Sequence, residues 1–274
     1  MHSKFALPAA AALLQAASAQ ILYGADVSEL SSDTWSSVIE SANYTDSQAV
    51  AGRDVSAAYP ASEQDGWSLN FAIKDGVAGS GETKTPAGAI SLTGPSGDFD
   101  DSWHLCLHVF PVRAASAGGA WSTDFDGTCS GSVAGECLDD LKKNALSNFD
   151  KDCKTWSLSP SCQRDIQDDR LNSAAVSITA DNHQDFIGNE TSFYREVFAD
   201  EILTAVLEPR AVVSVWGRSA DSGEDPTIQI TCLRPDTAES GSTDPGAPAE
   251  GAASGITALA SWAVLTAAVA FQLL

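Results

Sequence analysis

The chain has 274 residues, with 37 Asp and Glu against 15 Lys and Arg and a formal charge of -22 at neutral pH. That excess repels nucleic acid and anionic lipid, so a partner of either kind held by bulk charge is excluded. The acidity suits a well-hydrated surface protein, and the length allows one sizeable domain or two small ones.

The first nineteen residues predict a secretory leader. His2 and Lys4 give a basic start, Phe5 to Leu14 is apolar apart from Pro8, and Ala17-Ser18-Ala19 has the small-x-small form of a cleavage site. The mature chain is then expected to begin at Gln20, one positive charge poorer. Because Gln20 is not His, an amino-terminal copper brace is excluded.

Residues 20–234 read as a β-rich extracellular domain. Trp35, Val38 and Ile39 are spaced for a short helix, with Ser31-Ser32-Asp33 as its cap. Trp67, Leu69, Phe71 and Ile73 alternate with polar or small residues and predict a strand with one apolar face. A turn over residues 76–88 leads to a second alternating run around Ala89 to Thr93, stopped by Gly94-Pro95-Ser96-Gly97. Trp103 to Phe110 is the strongest strand, apolar on one face and bearing His104, Cys106, His108 and Phe110 on the other, so both faces are expected to be covered.

Leu138, Leu141, Ala145 and Phe149 mark a helical face after Gly135, with Asp139 and Asp140 expected in the first turn, where the helix dipole favours anions. Val176 and Ile178 predict a strand. Tyr194, Val197, Phe198, Ile202, Leu203 and Val206 have helical spacing and must stop before Pro209. Val213 and Val215, then Ile228, Ile230 and Cys232, form closing strands around a polar turn at residues 221–226. Short alternating strands with few helices favour an antiparallel β-sandwich-like domain, carrying about two short helices and a disulfide-rich insertion.

All six cysteines, Cys106, Cys129, Cys137, Cys153, Cys162 and Cys232, fall between the two processing sites. An even number in an exported chain predicts disulfides, and the absence of a Cys-x-x-Cys pair argues against metal. Cys106 and Cys232 each lie within a strand and are expected to bridge neighbouring or facing strands, leaving the middle four to pair locally. Asn43-Tyr44-Thr45 and Asn189-Glu190-Thr191 are N-glycosylation sequons, so Asn43 and Asn189 are expected on the surface.

No catalytic pattern of comparable strength is present. His104 and His108 stand about 13 Å apart on an extended strand, too far to share one ion. Asp98-Phe99-Asp100-Asp101 and Asp124-Phe125-Asp126-Gly127 resemble pieces of calcium loops but lack the later bidentate Glu; acidic turns explain them. His183, in a polar loop, has no recognisable partner. The chain has no Gly-x-Ser-x-Gly elbow and no His-Glu-x-x-His. A glycosidase needs two convergent carboxylates, which cannot be singled out among 37 acids. Trp67, Trp103, Trp121, Trp156 and Trp216 offer either a sugar-stacking platform or, more commonly, buried strand aromatics. No cofactor and no metal is expected.

Beyond Arg234, residues 235–251 are a Pro/Ser/Thr/Gly stalk too polar to fold, spanning roughly 20 Å as a flexible chain. Gly251-Ala252-Ala253 then supplies small residues ahead of an uncharged apolar run to Leu274, the signal for replacement by a glycosylphosphatidylinositol (GPI) lipid. Gly251 is the expected attachment residue, Ser254 the alternative, and residues 252–274 the propeptide removed. A permanent span is the rival, but no Lys or Arg follows the run to hold a cytoplasmic end.

The strand Trp103-His104-Leu105-Cys106, the loop Asp126-Gly127-Thr128-Cys129, Cys137-Leu138, Arg218-Ser219-Ala220 and Thr231-Cys232-Leu233-Arg234 resemble a family of ascomycete GPI-anchored, cysteine-containing cell-surface proteins. The resemblance implies a secreted, lipid-tethered, disulfide-bonded protein of plasma membrane or cell wall, and no catalysis. The sequence therefore points to a surface glycoprotein of structural or interactive role whose membrane partner is reached through lipid. The alternative is a carbohydrate-active enzyme or binding module whose partner is wall polysaccharide.

Overall fold

The computed structural model describes residues 21–23, 30–78, 84–113, 127–149, 153–154, 156–166, 174–188, 191–198, 202–218, 226–235 and 237–242. The leader, Trp121, residues 124–126 of the second acidic turn, Asn189, the turn at 221–225, Gly251, Ser254 and the apolar tail lie outside the described residues.

The chain is mainly β. Its strands are β1 (Ile21–Tyr23), β2 (Tyr44–Ala49), β3 (Gly52–Arg53), β4 (Glu63–Gln64), β5 (Ser68–Ala78), β6 (Lys84–Thr93), β7 (Trp103–Pro111), β8 (Ala174–Ile178), β9 (Tyr194–Val197), β10 (Arg210–Arg218), β11 (Thr227–Leu233) and β12 (Thr237–Ala238). The helices are α1 (Ser32–Glu40), α2 (Gly135–Ser147), α3 (His183–Phe186) and α4 (Ile202–Leu207). One sheet has the order β1-β9-β6-β5-β2-β12 and a second β11-β10-β7-β8, while β3 and β4 form a small ribbon. Pairing within the sheets is antiparallel except for β1 on β9.

The main core draws on both large sheets. Leu69, Phe71 and Ile73 of β5 and Ile90 and Leu92 of β6 pack in one cluster with Leu105, Leu107 and Val109 of β7 and Trp216 of β10. Period-two alternation places these residues on one side of each strand. The other face of the four-stranded sheet is also covered. Cys106, Phe110, Val213, Val215 and Cys232 join α2, Trp156, Leu158 and Ile166 in a second cluster, so β7 is buried along its whole length, as expected for a strand covered on both faces. A third, smaller cluster packs Trp35 and Val38 of α1 on Val77, Ala87 and Ala89 of the six-stranded sheet. The Ser31 side chain caps α1 by accepting the Thr34 amide at 3.2 Å, as the sequence indicates.

Local expectations change in several places. Tyr194–Val197 is a strand, not the start of a helix; its ladder comes from β6 on one side and β1 on the other, and α4 begins only at Ile202. The residues expected as a turn before Gly88 include the end of β5 and the first half of β6. In α2, Glu136 occupies the first turn and Asp139 and Asp140 lie beyond it, because the helix already starts at Gly135. Thr237 and Ala238, read as stalk, pair with Thr45 and Tyr44 at the edge of the six-stranded sheet.

Three disulfides are present, but the expected pairing is overturned: they join Cys106 to Cys153, Cys129 to Cys232 and Cys137 to Cys162. Cys106 and Cys232 are not neighbours, because β10 lies between their strands and pairs them with Val215 and Ala211 respectively. Each instead reaches out of the sheet to the covering layer. Only Cys137–Cys162 joins two of the middle four cysteines.

Candidate functional site

The densest grouping of chemically capable side chains lies where the covering layer meets β7. His104 and Cys106 are two residues apart on that strand and so share a face. Cys153 arrives from beyond the end of α2, and its sulfur lies 3.3 Å from His104 Nε2, with Cys106 Sγ at 3.6 Å. Ser177 Oγ of β8 lies 2.9 Å from the same nitrogen, and the imidazole stacks on Phe149 at 4.9 Å between centroids. The histidine is thus packed beside a disulfide, away from solvent.

His108 lies on the same face and in a drier place. It is fully buried against Trp156, at 4.6 Å and 61°, and neither ring nitrogen has a hydrogen-bond partner among the described residues. Burial without a partner disfavours the imidazolium and pulls its pKa down to about 4. The two histidines have different surroundings, His104 beside the Cys106–Cys153 bridge and Phe149, His108 against Trp156.

A buried ion pair that the sequence reading missed connects the two large sheets. Arg210, at the start of β10, donates from Nε and Nη2 to both carboxylate oxygens of Glu196 on β9, at 2.9 and 3.0 Å. Tyr194 Oη donates to Glu196 at 2.9 Å, and Arg210 Nη1 donates to the Glu208 carbonyl at 2.9 Å. Phe71 and Phe198 lie against the guanidinium. Desolvation pushes the Glu196 carboxyl up, against the pull of Arg210; the bidentate geometry is that of an ionic pair, and Arg210 remains charged. Only the isolated Pro209-Arg210 step before an apolar strand marked this position in the sequence.

The other candidates disperse. Phe99 is buried and the Asp100 carboxylate accepts the Ser102 amide and hydroxyl, which lower its pKa; this is an acidic turn ahead of β7. Asp140 holds the hydroxyls of Ser159 and Ser161 and so ties the Cys162 loop to α2. His183 does have partners: its Nδ1 lies 2.8 Å from the Ala180 carbonyl oxygen and its ring stacks on Phe99 at 5.5 Å. Trp67, Trp103 and Trp216 are fully buried and Trp156 nearly so. Trp67 Nε1 donates to the Arg53 carbonyl and Trp103 Nε1 to that of Ala57, so both indoles act as core pegs with satisfied tips.

A cavity of about 460 Å³ lies between the Ser130–Ala134 segment and Arg164–Asp165. Its buried carboxylate, Asp165, accepts the Ala134 amide ahead of α2 at 2.8 Å and pairs with Arg164 at 3.0 Å. A second carboxylate does not face it among the lining residues, which leaves it short of an acid–base pair.

Asn43 is partly buried at the end of the sheet. Its Oδ1 accepts the Asp75 amide at 2.8 Å and its Nδ2 donates to Ser242 Oγ at 3.2 Å. Glycosylation replaces one Nδ2 hydrogen and leaves the other to donate. Among the described residues no helix is long and apolar enough to cross a membrane. Compared with protein-family models, curated proteins and solved structures, the chain matches none of them.

Proposed function

We propose that this is a cell-surface glycoprotein of the ascomycete GPI-anchored type, held at the outer face of the plasma membrane or passed on to the wall. Its ectodomain, a β-sandwich-like body formed by the two large sheets, has a structural or interactive role. The leader, the small-residue triplet at Gly251 and the apolar tail carry this reading. The three disulfides support it, since such bridges persist in the oxidising compartments that an exported chain enters. The apolar cluster shared by the two sheets supports the sandwich.

Treatment of intact cells with a phosphatidylinositol-specific phospholipase is expected to release the protein. Mass analysis of the released form is expected to find a chain starting at Gln20 and ending in a glycolipid remnant on Gly251 or Ser254. Retention on the cells together with a peptide containing Leu274 would sink the proposal.

A second reading, binding of a neutral wall polysaccharide, is favoured by one observation. Ser47, Ser68, Asn70 and Thr93 form an uncharged hydroxyl and amide ladder on the six-stranded sheet, with Ser47 donating to Asn70 at 2.7 Å and Asn70 donating to Thr93 at 3.2 Å. A screen of the purified protein against wall glucans, chitin and mannan tests it. Binding weakened by Asn70→Ala supports this reading, and an absence of both binding and turnover removes it.

A further inference from the structure

We propose that Cys106, Cys153 and His104 form a redox-gated site for a thiophilic divalent cation of the zinc class, closed while the disulfide stands and opened by its reduction. The inference is independent of where the protein is tethered.

The donor atoms are already gathered. One ligand atom from each of the three residues lies within 4.8 Å of the others, and all three residues are buried. Two thiolates and one imidazole are a donor set that zinc takes, with a fourth position left for water. The imidazole is not free to turn away, since it is stacked on Phe149 and bordered by Ser177. Among the described residues neither of the other bridges has a histidine at its sulfurs; the Cys162 sulfur meets the Cys137 carbonyl instead.

Two features select this bridge as the first to open. Cys153 has φ of 47°, a left-handed conformation that a residue with a Cβ rarely adopts and that persists only while its surroundings enforce it. Cutting the cross-link removes one of those constraints. The second feature is His104, whose Nε2 lies within reach of both sulfurs and so offers each a hydrogen-bond partner once the bond is cut, and stabilising the reduced form makes a disulfide easier to reduce.

The chemistry balances with a dithiol as reductant. It gives two electrons and two protons to the Cys106–Cys153 bond, which breaks to two thiols while the dithiol becomes a disulfide. The incoming cation displaces both thiol protons to solvent and takes the neutral His104 through Nε2, and Ser177 gives up its contact with that nitrogen.

The purified full chain is exposed anaerobically to graded dithiothreitol, alkylated, and its cysteines mapped by mass spectrometry. Cys106 and Cys153 are expected to be labelled roughly tenfold sooner than the other four, in line with the spread in reducibility between strained and relaxed bridges. A parallel sample, partly reduced, freed of dithiothreitol anaerobically and left unalkylated, is titrated with Co²⁺, which is expected to give a thiolate-to-cobalt absorption band at one equivalent, displaced by Zn²⁺. In His104→Phe, which keeps a ring against Phe149, the band is expected to be lost or to need roughly tenfold more metal, as for a site missing one of three ligands. His104→Gln serves if the first variant does not fold. The proposal is overturned if another bridge opens first, if all three open together, if the wild type gives no band, or if the band is unchanged without His104.

Discussion

Arg210 and Glu196 show what a single buried contact contributes and how little of it a sequence reveals. The two residues are 14 apart and belong to different sheets, and neither neighbourhood has a pattern that separates them from the other acidic and basic positions. The pair is enclosed by Phe71, Phe198 and Tyr194, so removing one partner leaves an uncompensated charge. Arg210→Met is expected to cost about 3–5 kcal/mol, read as a fall in the midpoint of chemical denaturation, with the double replacement Arg210→Met, Glu196→Leu recovering much of it.

His108 makes the opposite kind of prediction. Its folded pKa of about 4 lies below the ordinary value of 6.5, so the unfolded chain binds the proton more readily between those limits. Stability that is full above pH 6.5 is therefore lost as the pH falls towards 4, by about 3 kcal/mol. Denaturation midpoints measured across that window should fall in the wild type and fall less in His108→Leu. The strand alternation showed that His108 faces inward with Phe110, but not that its ring nitrogens find no partner among the described residues, since that depends on Trp156 from a distant loop.

Among the elements, those whose own residues determine them were legible in the sequence. The α1 cap, the apolar stripe of β5, the two-sided burial of β7, the α2 face and the β10–β11 pair all follow from local period and turn chemistry. Those that depend on a distant partner were not. Strand β2 has the polar run Thr45 to Gln48 and becomes a strand because β5 pairs with it; Tyr194–Val197 mimics helical spacing until β6 and β1 claim it.

Trp67 carries the packing at this scale. It is held between Gly52 and Gly94, where a Cβ would stand 1.9 Å and 2.4 Å from its ring atoms. Gly52→Ala is expected to force the indole or the β3 ribbon aside at a cost of about 1–3 kcal/mol, detectable as a lower melting temperature. The fluorescence of Trp67, edge-on to Trp216 at 4.9 Å, should shift with it. The bridge from Cys129 to Cys232 spans 103 residues and fastens the covering layer to β11. Replacing both cysteines by Ser is expected to cost about 2–5 kcal/mol, most visibly through loosening of the second cluster.

For the molecule as a whole, the two large sheets share one apolar core, and a disulfide-stapled layer of loops and α2 closes the far side of the smaller sheet. The sequence showed an insertion rich in cysteine but not its attachment. Cysteine positions alone do not reveal which strand separates which, and β10 proved to be the spacer that keeps Cys106 and Cys232 apart.

The carboxyl-terminal edge of the described domain has a mechanical meaning. The last described residues run from β11 through Arg234, whose amide donates to Asp46, to the two-residue β12 along β2. A pull on the carboxyl-terminal end meets those few bonds first and unzips them one after another. Peeling then reaches Cys232, where a covalent strut to Cys129 takes the load before β11 can be stripped from β10. Force spectroscopy on the oxidised protein should show a short, weak first extension followed by a stiff body. With the strut cut, the same pull should run on through the smaller sheet.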